Sequence, residues 1–92
     1  MANDPPVPAH ERLRLLREDF LDRADVIDGG VRALLARLDL TRTDAEHHRT
    51  IDALMGVSRA ADALRALARN DLASADAATE AMGYYARKAL GS

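Results

Sequence analysis

Apolar residues fall at Leu13, Leu16, Phe20, Ala24, Ile27, Val31, Leu34 and Leu38, each three or four positions after the last. That step is the repeat of one face of an α-helix. The stretch therefore predicts a long helix from about Ala9 to Asp39. Gly29 and Gly30 interrupt it, at a cost of about 1 kcal/mol each relative to alanine. The stripe keeps its phase across them, so one continuous or gently kinked helix is expected. A break at Asp28-Gly29 is the alternative.

A second, thinner apolar line on the same helix runs through Leu15, Val26 and Ala33. It lies roughly 130° around from the first, where one hairpin partner cannot cover both. It is therefore expected to meet a third helix or a second chain.

The loop Leu40 to Thr43 leads into Thr43-Asp44-Ala45-Glu46, a capping-box sequence in which Thr43 and Glu46 satisfy each other's amides. A second helix is expected from about Asp44 to Arg69, with Ile51, Leu54, Val57, Ala61, Leu64 and Ala68 on its core face. Met55 and Leu67 flank that face. Arg65 and Arg69 suit the negative end of the helix dipole. A short loop between two long helices implies an antiparallel hairpin.

Asn70 tolerates the left-handed conformation at a helix end, and Asp71 or Ser74 can cap the next helix. A third helix is expected from Leu72 or Ala73 to Ala89, packing through Ala75, Ala78, Met82, Tyr85 and Ala89. Tyr84 should then face away from the core. Pro5, Pro6 and Pro8 disfavour helix, so residues 1–8 are expected to form an extended, flexible tail ahead of a single helical domain over 9–90.

The chain has 92 residues and no cysteine. A core of this size buries only about 60–65% of the surface the unfolded chain exposes, and usually needs a staple or a partner. Disulfides and thiolate metal sites are excluded, which leaves oligomerisation. Thirteen Lys and Arg against fifteen Asp and Glu give a net charge of -2. That balance, with both signs alternating along the helices, speaks against a nucleic-acid surface. The first residues form no signal peptide and no apolar run is long enough to span a membrane, so a cytoplasmic location is expected by default. Heavy Ala and Arg usage suggests a GC-rich bacterial source.

Three constellations bear on chemistry. Asp44, His48 and Asp52 share one helical face and have donor types that could bind a divalent metal, but the same spacing suits exposed ion pairs. His47 and His48 lie on a helical hairpin, as in phosphotransfer bundles, without the Lys or Arg and Gly that usually come after the histidine. Glu18, Asp22 and Asp25 share a face beside Arg14, Arg23 and Arg32, the pattern of a solvated, salt-bridged surface. Leu67 to Ala75 resembles the inter-helix turn of a tetratricopeptide repeat, although the chain carries no repeat period.

These observations predict an all-α fold, with an antiparallel hairpin of two long helices plus a shorter third helix, completed by dimerisation. The expected function is a non-enzymatic protein-protein interaction module that associates with itself or with another helical protein. Leu15, Val26, Ala33, Met55, Leu67 and Tyr84 are its candidate interface, and no catalytic residue, cofactor or metal is assigned. The alternatives are a small transcriptional or nucleic-acid-associated regulator and, behind it, a His-based metal or phosphotransfer bundle.

Overall fold

A computed structural model describes residues 8–39 and 41–91. Most of the expected tail and Leu40 of the first loop lie outside them. Among the described residues there are three helices and no strand: α1 (Ala9–Arg37), α2 (Ala45–Ala68) and α3 (Leu72–Ala89). The chain is all-α, and α1 runs unbroken through Gly29 and Gly30.

The helix ends obey local chemistry. Pro8 precedes α1, and its carbonyl accepts from the Arg12 amide at 3.0 Å. The expected capping box at Thr43 is not the cap that forms. Asp44 is the N-cap of α2, accepting from the His47 amide at 3.2 Å. Asp44 is favoured at that position, and Arg42 grips its two carboxylate oxygens at 2.9 and 2.8 Å. The α2–α3 turn is a Schellman motif. Asn70 takes φ 57, its amide reaches the Leu67 carbonyl, and the Asp71 amide reaches the Ala66 carbonyl. Asp71 then caps α3 through the Ser74 amide and hydroxyl.

Both hairpins are antiparallel. Arg65, near the end of α2, reaches back to Asp25 of α1 at 3.0 Å and also to Asp28. A Cβ on Gly56 would lie 3.5 Å from the Tyr85 Cβ, and Lys88 approaches Asp52 at 3.7 Å. Gly56 and Arg65 are nine residues apart, roughly 180° around the helix. Hence α1 and α3 lie on opposite sides of α2, and among the described residues α3 packs on α2 and not on α1.

This open arrangement makes a thin core. Among the described residues its buried apolar members are Ala24, Val31, Leu54, Ala61, Ala66, Ala68 and Ala75, and no large side chain is fully buried. The α1 stripe is covered only in part. Ala24 and Val31 are buried and Phe20, Ile27 and Leu38 half-buried, as the pattern requires. Leu13, Leu16 and Leu34 are about half exposed, at 53%, 47% and 50%. For Leu13 the reason is register: α2 ends three residues after Arg65, so the first turns of α1 project past it. Val57, expected in the core, is also exposed, because it points between the two neighbours of α2. The molecule measures 62 × 27 × 22 Å, longer than α1 alone at about 44 Å.

Candidate interaction surface

The sequence-predicted interface residues do not form one patch. Leu15, Val26 and Ala33 of α1 are all exposed, Val26 at 76%, and Val26 lines the groove between α1 and α2 beside Leu64. Asp19 and Asp22 fall between Leu15 and Val26 on nearly the same helical line, so acids interrupt that side. Met55 is half-buried on the opposite edge of α2, near Asp62 in helical azimuth. Tyr84 faces outward from α3, as expected. Its ring meets that of Tyr85 edge-on, with centroids 5.2 Å apart, and carries the Lys88 ammonium 5.3 Å from its centre. Leu67 is exposed on α2.

A more coherent apolar surface opens on one side of α2. Two grooves flank the helix there. The first lies between α1 and α2, where Leu16, Phe20, Val26 and Ile27 face Leu64, with Asp19, Asp22 and Arg23 at its rim. The second lies between α2 and α3, where Ala53, Val57 and Ala60 face Met82, Ala86 and Leu90. Between them runs Ala53, Val57, Ala60, Leu64 and Leu67, at steps of four, three, four and three. Sequence reasoning puts Val57 and Leu64 on the core face and Leu67 at its flank, and singles out neither Ala53 nor Ala60. Only the position of α3, opposite α1, reveals that one face of α2 is left open.

Several titratable groups are engaged in structural contacts. Arg14 joins Glu18 at 3.2 Å and Glu11, and Arg23 joins Asp19 at 2.7 Å. Asp25 and Asp28 meet Arg65 rather than their helical neighbour Arg32. The Asp25 and Asp28 carboxylates in turn hold the Arg65 guanidinium above its ordinary pKa. Hydrogen bonds from Arg42 draw the Asp44 carboxyl below its usual range, and those from Ser74 do the same to Asp71. The Thr41 hydroxyl and amide lower Asp39 likewise.

The Asp44, His48 and Asp52 set is not brought together. Asp44 caps α2, Asp52 turns to Lys88, and among the described residues no three His, Asp or Glu side chains converge on a metal position. His48 is exposed. His47 is buried at the α1–α2 end of the hairpin, and its Nε2 has no hydrogen-bond partner among the described residues. Among those residues, no helix is long and apolar enough to cross a membrane. Compared with known proteins, the chain matches no family model, no curated protein and no solved structure.

Proposed function

We propose that this chain is a non-enzymatic helical interaction module that works by associating with itself. The observation that carries this reading is the surface left uncovered. The chain exposes 6756 Å², whereas a compact monomer of its 10.0 kDa mass exposes about 5,200 Å². Among the described residues Leu13, Leu16, Leu34, Val57 and Leu67 are exposed, and exposed apolar surface of this kind marks association sites. Of the three acids that share a face of α1, Glu18 pairs with Arg14 and Asp25 with Arg65, which supports a structural rather than a catalytic role for those two. The test is the mass in solution by light scattering on a sizing column. A mass of twice 10.0 kDa or more is expected, and a single-chain mass at concentrations of about 100 μM would overturn self-association at useful affinity.

A further inference from the structure

We infer that the first turn of α2 is a pH-sensitive element, which unwinds when His47 takes up a proton. The inference is independent of self-association. It rests on where the fold puts this ring and on what surrounds it.

His47 comes eighteen residues before Arg65, five full turns of helix. It therefore sits on the side of α2 that faces α1. It is 3% exposed, and among the described residues no other polar or charged residue is buried. Its Nε2 is buried and has no hydrogen-bond partner among those residues. Such an orphaned atom costs free energy even while the ring is neutral. His48, one position on, is exposed.

A charged ring suits this place worse than a neutral one, for three reasons. The imidazolium is a donor at both nitrogens, and the Nε2 proton would find no acceptor. Burial removes the water that would solvate the charge. His47 is also the third residue of α2, close to the positive pole of the helix dipole, which repels a cation.

The surrounding charges do not reverse that balance. On the elements that meet here they are Arg37 at the end of α1, Asp39 and Arg42 between the helices, and Asp44, Glu46 and His48 at the start of α2. Asp39 is near enough for its charge to act on the ring. It is exposed, so water screens it, and one of its oxygens already accepts twice from Thr41. Asp44 is engaged by Arg42 at both oxygens and by the His47 amide. Glu46 is exposed, and Arg37 and Arg42 are themselves cations. On the opposite side of α2, the end of α3 approaches Arg49 instead.

The turn can give way locally, because few bonds hold it. The Asp44 side chain accepts from the His47 amide at 3.2 Å, and the Asp44 carbonyl from the His48 amide at 3.1 Å. Unwinding carries the ring into water. Histidine is the side chain whose charge changes between pH 5 and 8. The order of the turn is therefore complete above about pH 6.5, the value of a solvated histidine, and is lost as pH falls below it.

The test is amide hydrogen exchange followed by NMR from pH 7.5 to 5, expressed as protection relative to an unstructured peptide at the same pH. Protection of the His48, Arg49 and Ile51 amides should fall with pH by up to about tenfold per unit, the limit for one linked proton. Ala61 and Leu64, in the middle of the helix, should hold. The fall should share its midpoint with the His47 ring signals of the wild type. His47→Leu, with helicity checked by circular dichroism, should raise protection at pH 7.5 and abolish the pH dependence. His48→Gln and His10→Gln should leave it in place. Protection that stays flat in the wild type, or that still falls with pH in His47→Leu, would overturn the inference.

Discussion

Arg65 and the glycines show how single residues set this fold. Arg65 fits a dipole role from sequence, because nothing local reveals partners forty positions away. In the structure it ties the hairpin to Asp25 and Asp28. Arg65→Ala should therefore lower the melting temperature, and Arg65→Lys should restore only part of the loss, since an ammonium lacks the planar fork that reaches both carboxylates. A thermal melt of the three proteins checks this. At Gly29, a Cβ would meet nothing within 4 Å. Gly29→Ala should thus stabilise the chain by about 1 kcal/mol through helix propensity alone, measurable by urea unfolding. Gly56 differs, because α3 closes onto it at van der Waals distance. Alanine fits there, whereas Gly56→Leu should overpack the α2–α3 contact by roughly 1–3 kcal/mol.

The elements are largely legible in the sequence, because their punctuation is chemical. The apolar period carries α1 through two glycines, the dipeptide Asn70-Asp71 marks the Schellman turn, and the α3 pattern turns Tyr85 inward and Tyr84 out, as the structure does. The cap of α2 lies one residue later than the capping-box pattern predicts. Thr43 and Asp44 are both good caps, and the choice falls to Arg42, whose contact with Asp44 no helix-start pattern contains. Asn70 holds φ 57, so Asn70→Val should cost about 1–2 kcal/mol through the left-handed penalty, while Asn70→Gly should be tolerated; urea unfolding distinguishes them. The caps also set a pH dependence. Asp44 and Asp71 have carboxyls depressed in the folded state, so their stabilisation is fully present above the unfolded value of about 3.9. It is lost as pH falls through the depressed folded values. Melting temperature against pH should drop below about pH 4, and Asp44→Asn with Asp71→Asn should flatten that limb.

At the scale of the whole molecule, helix content is readable from the sequence and helix arrangement is not. A three-helix chain can close into a bundle in which α1 and α3 touch, or stay open with both packed on α2. Period and caps are the same in either case. The deciding features are the small-residue side of α2, where Gly56 admits α3 opposite α1, and the register that leaves Leu13 exposed beyond the end of α2. Among the described residues the open form buries no large side chain fully, so its stability should depend on the cover over the remaining apolar face. If a second copy covers it, folding and association are linked by mass action. The most direct measurement is therefore the melting temperature over a hundredfold range of protein concentration. The account predicts a steady rise, by several degrees, as concentration increases. A melting temperature independent of concentration, together with a single-chain mass, would contradict it.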